Sequence, residues 1–292
     1  MPATVSAPRW LAGLLLAATA ACGKAHSGTP YIWNLPAGFP IPKVPDDNPM
    51  TEEKVQLGRY LFYDKRLSGN GTLACASCHQ QEHAFTDGRE RAVGSTGSMT
   101  PHNAMSLTNV AYNSVSTWWD PQITSLESQA AIPMYNTNPV ELGVTGMDSV
   151  ILGRFQADSR YKQLFPEAFP DSKDPFTMAN VIDAITSFER TIVSGNSPFD
   201  QWQYQHGPAL PDDAMAGYKL FFSEACECYH CHGGVNFTDD FATATTTLLA
   251  APYHNTGLYN VGGTGACPPG DIGKMTVTGN AADMCQFRAP TL

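Results

Sequence analysis

The chain has 292 residues, of which 42% are hydrophobic and 15% charged, with 22 prolines and a formal net charge of −10. Such a composition can bury the core of one or two globular domains. The acidic balance argues against a nucleic-acid-binding protein and offers no basic patch for an anionic membrane.

In chain order the first element is an export-like segment. Arg9 precedes a short apolar run, Trp10 to Ala21, that ends in small residues and is too short to span a bilayer, so residues 1–22 read as a signal peptide. Cys22 directly follows Thr19-Ala20-Ala21 and resembles a lipoprotein cleavage site, which would make it a lipid anchor; the alternative is an ordinary cut nearby and an incidental thiol. Residues 23–50, rich in Pro and Gly, read as an extended arm laid over the first domain. Thr51, with Glu52 and Glu53 in the first turn, opens a helix that carries Gly58-Arg59-Tyr60-Leu61-Phe62. A loop then leads to Cys75-Ala76-Ser77-Cys78-His79 and Phe85-Thr86-Asp87. The stripe Val181, Ile182, Ile185, Phe188 and Ile192 predicts a second core helix. Pro198, Gly207, Pro208 and Pro211 mark the connection to a second domain. There the series repeats as Gly217-Tyr218-Lys219-Leu220-Phe221, Cys228-Tyr229-His230-Cys231-His232 and Phe237-Thr238-Asp239. No segment is rich in strand signals. The fold class expected is mainly α, with two tandem cytochrome-c-like domains over residues 51–200 and 201–292.

The repeated Cys-x-x-Cys-His pattern has a chemical reason. Two thiols one helical turn apart reach the two vinyl groups on one edge of a porphyrin, and the next His reaches the iron from the proximal side. Cys75, Cys78 and His79 would hold one covalent haem c, and Cys228, Cys231 and His232 a second. Zinc is the rival, but it needs four ligands converging on a tetrahedron, and adjacent Cys and His side chains usually diverge. Haem c attachment takes place outside the bacterial cytoplasm, which agrees with the signal peptide and predicts a periplasmic protein. Setting aside these four thiols and Cys22 leaves Cys226, Cys267 and Cys285. Of the three pairs they allow, Cys267 with Cys285 is favoured, because both lie in one Gly/Pro-rich stretch in an oxidising compartment; free thiols are the alternative.

Several phrases resemble the bacterial di-haem cytochrome c peroxidases and MauG-like enzymes, with the MbnH-type enzymes as the nearest subgroup. They are Asp47-Asn48-Pro49-Met50, Leu67-Ser68-Gly69-Asn70-Gly71-Thr72, Ala84-Phe85-Thr86-Asp87-Gly88-Arg89, Ser106-Leu107-Thr108-Asn109-Val110-Ala111-Tyr112-Asn113 and His254-Asn255-Thr256-Gly257-Leu258-Tyr259-Asn260. The terminal Phe287-Arg288-Ala289-Pro290-Thr291-Leu292 also fits, but the family pattern runs on into a further helix, so the resemblance implies a second domain cut short at the C-terminus. The distal ligand of the second haem would lie beyond that point.

The resemblance also implies roles. Glu141 matches the distal acid/base that moves a proton between the two oxygens of peroxide, and Gln129 matches an amide in the same pocket. Trp118 and Trp119 lie where the family places an oxidisable Trp between the haems, and the two cannot be told apart by spacing. Many peroxidases carry a removable His ligand sixteen residues after the first proximal His; here that position is Ser95. His83, His102 and His254 read as solvated or structural, and His230 as pointing away from the iron. Asn103 matches a contributor to a calcium site between the haems. The function implied is a haem-dependent oxidoreductase that uses hydrogen peroxide to build a high-valent two-haem state and oxidises a partner protein at Trp. A cytochrome c peroxidase fed by a small electron-donor redox protein is the second reading, and a non-catalytic electron carrier the third. The carrier has no use for a proton shuttle such as Glu141.

Overall fold

The computed structural model describes residues 28–117, 119–246 and 253–292. The signal segment, Cys22, the first residues of the arm and Trp118 lie outside the described residues. The architecture is mainly helical: α1 (Glu52–Tyr63), α2 (Cys75–Cys78), α3 (Leu126–Tyr135), α4 (Asp148–Gln156), α5 (Ser159–Ala168), α6 (Met178–Glu189), α7 (Pro198–Tyr204), α8 (Asp212–Phe221) and α9 (Met275–Thr278). Two short strands, β1 (Tyr253–His254) and β2 (Phe287–Arg288), pair antiparallel, with Tyr253 opposite Arg288. Among the described residues no helix is long and apolar enough to cross a membrane.

Helix α1 starts where its cap says it should. The Thr51 hydroxyl accepts from the Lys54 N–H at 3.2 Å. Its apolar face, Leu57, Leu61 and Phe62, is fully buried against Val181, Ala184 and Ile185 of α6. Gly58 permits this approach, since a Cβ there would stand 1.8 Å from the Ala184 carbonyl oxygen. Helix α6 is shorter than its stripe: it ends at Glu189, and Ile192 packs on the core from the following turn. Pro198 does not mark a connecting loop but occupies the first turn of α7, capped by Ser197, where a missing N–H costs nothing.

The second half repeats part of the packing of the first. In the first half Phe62 sits between Phe85 and Phe188, with ring centroids at 6.3 and 5.2 Å. Phe221 of α8 likewise meets Phe237 at 5.9 Å. Gly217, the counterpart of Gly58, has nothing within 4 Å of the place a Cβ would take. An apolar cleft of about 640 Å³ opens along α8, lined by Phe199, Leu210, Gly217, Phe221 and Phe237.

The arm is not confined to the first half. Asn48 plugs it into the helices, its side-chain amide donating to Glu127 Oε1 at 2.7 Å and to the Asp183 carbonyl at 3.0 Å. Further back, the Pro40 carbonyl accepts from the Tyr112 hydroxyl at 2.8 Å, and the Ile41 carbonyl from the Ala244 N–H at 2.9 Å. The arm therefore ties the two halves together. Cys267 and Cys285 form a disulfide in a stretch with few buried apolar residues, where a covalent link substitutes for core.

Candidate functional site

The two Cys-x-x-Cys-His segments share one device. The His79 ring nitrogen Nδ1 faces the Phe85 carbonyl oxygen at 2.9 Å, and His232 Nδ1 faces the Phe237 carbonyl at 3.0 Å. A donor bond from Nδ1 fixes the tautomer and leaves the Nε2 lone pair as the metal-binding one. Both acceptor residues are left-handed, with φ of 59° at Phe85 and 47° at Phe237. A phenylalanine pays for that conformation, and the same strain at equivalent places in both halves marks a shared constraint.

Local folding sets the thiols. Cys75–Cys78 forms a single helical turn, stabilised by the Ala74 N–H donating to the Ser77 hydroxyl at 3.0 Å. Burial pushes the Cys75 and Cys78 thiols above their ordinary range and depresses the imidazole of His79, which keeps the ring neutral as an iron ligand requires. Around Cys228 the turn is tighter, a 3-10 turn over Cys228–His230, with the His232 N–H returning to the Cys228 carbonyl at 3.0 Å. Four unpaired thiols and two oriented imidazoles are a donor set that fits covalent haem c.

The structure brings Glu141 and Ser95 together. The Ser95 N–H donates to the Glu141 carbonyl at 2.7 Å, and Gly94 lies so close that a Cβ would stand 1.9 Å from the Val140 carbonyl oxygen. Burial pushes the Glu141 carboxyl above the usual carboxylate range, against a hydrogen bond from the Asn136 side chain. Burial first, then the charges of Asp87 and Glu141, raise the thiol of Cys78. Leu142, the next residue, donates its N–H to the Pro133 carbonyl of α3 at 2.9 Å. Gln129 lies one turn before Pro133 on the same face, half-buried.

Trp119 and His102 are neighbours at the seam between the halves. Their rings lie 5.0 Å apart, and His102 Nε2 stands 3.2 Å from the Asp271 carboxylate. His102 is thus a contact between halves, a role its loop position did not reveal. Asn103, beside it, is exposed and donates to the Ala104 carbonyl at 3.1 Å. His254 is held by the Asp239 carboxylate at 2.5 Å, and His230 stacks on Tyr229 with centroids 4.2 Å apart. Sequence reasoning passed over Glu189, which is 5% exposed at the end of α6 and raised to about 8 by burial. Its one signal was a carboxylate placed beside the apolar stripe.

A family profile described as di-haem cytochrome c peroxidase matches residues 52–207. The chain belongs to this family. It is 32% identical over 253 residues to the cytochrome c peroxidase Ccp of Escherichia coli K12, covering 87% of this chain and 50% of that protein. To the methylamine utilization protein MauG of Methylorubrum extorquens it is 40% identical over 205 residues, 70% of this chain and 55% of the relative. The chain therefore spans about half the length of these curated relatives. Among solved structures, a MauG-like protein associated with microbial copper homeostasis superposes with a TM-score of 0.87 at 45% identity, over 89% of this chain and 75% of that one. The di-haem peroxidase BthA of Burkholderia thailandensis shares the fold, with a TM-score of 0.60 at 19% identity over 90% of this chain and 73% of its own. The tandem cytochrome-c-like architecture is that of the family, and a di-haem family implies two c-type haems.

Proposed function

We propose that this chain is the haem-bearing part of a MauG-like enzyme that uses hydrogen peroxide to oxidise a partner protein at long range, at a tryptophan. Cys75 and Cys78 hold the first haem and His79 ligates its iron; Cys228, Cys231 and His232 do the same for the second. When bound, the haems supply the iron at which peroxide is split and the store for its two oxidising equivalents. The observation that carries the reading is the contact of Ser95 with Glu141. A residue that cannot ligate iron stands where many peroxidases keep a removable His, joined by a main-chain hydrogen bond to the residue that matches the family's acid/base. Glu141 takes a proton from one peroxide oxygen and returns it to the other, and Gln129 orients the peroxide. Trp119, at the seam, is offered as the relay between the halves, with Trp118 the alternative that the sequence leaves open.

The remaining assignments follow this reading. The two domains are residues 51–200 and 201–292, and the protein works in the periplasm, in keeping with the export-like segment and the Cys267–Cys285 disulfide. Cys22 is retained as a lipid-anchor proposal on its sequence alone. Asn103 is offered for calcium, as one of the roughly six to eight oxygen ligands such an ion takes.

A second reading, reduction of peroxide to water with electrons from a small redox protein, is favoured by the likeness to the E. coli cytochrome c peroxidase. The test starts from fully ferric, full-length holoprotein mixed with peroxide, with and without the protein encoded beside it, followed by mapping of oxidised residues by mass spectrometry. Oxidised tryptophan in the neighbour protein supports the first reading. Activity that appears only after one-electron reduction, with a donor cytochrome, replaces it by the second.

A further inference from the structure

A continuous run of aromatic rings leads into the second Cys-x-x-Cys-His segment. Trp202 of α7 is half-buried and meets Tyr218 of α8 edge-on at 5.3 Å between centroids. Tyr218 lies 4.8 Å from Phe222, and Phe222 stacks on Tyr229 at 6.2 Å with the planes 28° apart. These separations are those of ring pairs in direct contact. Tyr229 lies between Cys228 and Cys231 in sequence, so its ring is tethered to the edge of the porphyrin that those thiols would carry.

Apolar packing alone accounts for Phe222 against α8, but not for what is attached to Tyr229. The Tyr229 hydroxyl donates to Glu224 Oε1 at 2.5 Å, in a region where both residues reach water. Trp and Tyr are the side chains whose rings give up an electron most readily. A phenol that loses an electron becomes a strong acid, so its oxidation is accessible when an acceptor already holds its proton. Glu224 is such an acceptor, and the proton crosses an existing hydrogen bond with no movement of either heavy atom.

We propose that Trp202 and Tyr229 are the two stations of an electron conduit into the second haem, bridged by Tyr218 and Phe222, with Glu224 as the proton acceptor of Tyr229. The proposal rests on the reading of Cys228, Cys231 and His232 as the second haem site and of peroxide as the oxidant. Reduction of one peroxide to two waters takes two electrons and two protons. For each electron, Tyr229 is oxidised by one electron and its phenolic proton passes to Glu224. Trp202 then reduces Tyr229 across the two bridging rings, and the proton returns from Glu224 to the phenol. An external donor, a partner protein's indole or a reduced redox protein, refills Trp202 and is itself oxidised by one electron. The conduit is left unchanged, and the two protons come from water.

The test uses full-length holoprotein whose mass shows two haems, mixed with peroxide in the absence of donor and frozen for electron paramagnetic resonance, with oxidised residues then mapped by mass spectrometry. Wild type is expected to give a tyrosyl signal that changes on ring deuteration of tyrosine, and oxidation products at Trp202. Tyr229→Phe should abolish that signal and lower Trp202 oxidation by roughly tenfold or more. Glu224→Gln, which keeps a partner for the hydroxyl but no base, should lower the tyrosyl yield, and Trp202→Phe should prolong the signal. A two-haem wild type that leaves peroxide untouched overturns the functional reading and the conduit with it. A wild type that consumes peroxide, but whose radical and Trp202 oxidation survive in Tyr229→Phe, overturns the conduit alone.

Discussion

Asp240 and Arg288 form an ion pair closed off from solvent, with Nη1 2.9 Å from Oδ2 and side-chain exposures of 4% for the arginine and 0% for the aspartate. The other carboxylate oxygen of Asp240 accepts from the Ser114 and Val115 N–H groups at 2.8 and 3.1 Å. One buried carboxylate therefore joins the segment after the second haem motif to the C-terminal strand β2 and to a loop of the first half.

Removing one partner of such a pair leaves a buried charge uncompensated. Asp240→Ala should destabilise the protein by about 3–5 kcal/mol, read from denaturant unfolding followed by circular dichroism. An apolar double replacement of Asp240 and Arg288 should cost less than the single change. An unchanged midpoint in the single variant would show that the seam is not held here.

Glu141→Gln should slow peroxide cleavage by a factor of about 10²–10⁴, the range for loss of a general acid/base, while leaving the resting absorption spectrum near wild type. Stopped-flow mixing of ferric protein with peroxide reads both. A wild-type rate in the variant removes Glu141 from the mechanism.

Glu189 should make stability depend on pH. Its folded value is raised from 4.5 to about 8, chiefly by burial. Between those values the folded chain keeps a proton that the unfolded chain has released, so stability is full below about 4.5 and falls as pH rises toward about 8. The slope is about 1.4 kcal/mol per pH unit at most. Glu189→Gln should flatten it, and unfolding midpoints measured at pH 5 to 8, in roughly unit steps, decide the matter.

Trp119→Phe fills nearly the same space beside His102 with a ring far harder to oxidise. Partner oxidation should fall by roughly tenfold or more while the rate of peroxide binding at the first haem is retained. Equal loss in both measurements would mean that the substitution damages the pocket rather than the relay.

The Cys267–Cys285 link closes a loop with a sequence separation of 18 in a part of the chain with little core. Replacing both residues by Ser should lower stability by about 2–4 kcal/mol, read in the same unfolding experiment. No change on reduction of the wild type would show that the link is idle.

What the sequence determined alone was the chemistry written in short spans. Two thiols and a His within five residues point to haem attachment on their own, because their spacing is a local property of one turn. The tandem repeat and the α1 cap are legible for the same reason. The sequence overran on α6, since an apolar stripe continues to Ile192 although the helix stops at Glu189, and it took Pro198 for a linker when the capping by Ser197 makes it a helix start. Only the tertiary structure set Ser95 against Glu141, His102 between Trp119 and Asp271, and Asp240 against Arg288. Each of these contacts joins residues apart in sequence, most of them in loops with no period of their own. Their meeting depends on how closely backbones can approach, as at Gly58 on α6 and Gly94 on Val140, and that is settled by packing across the whole molecule.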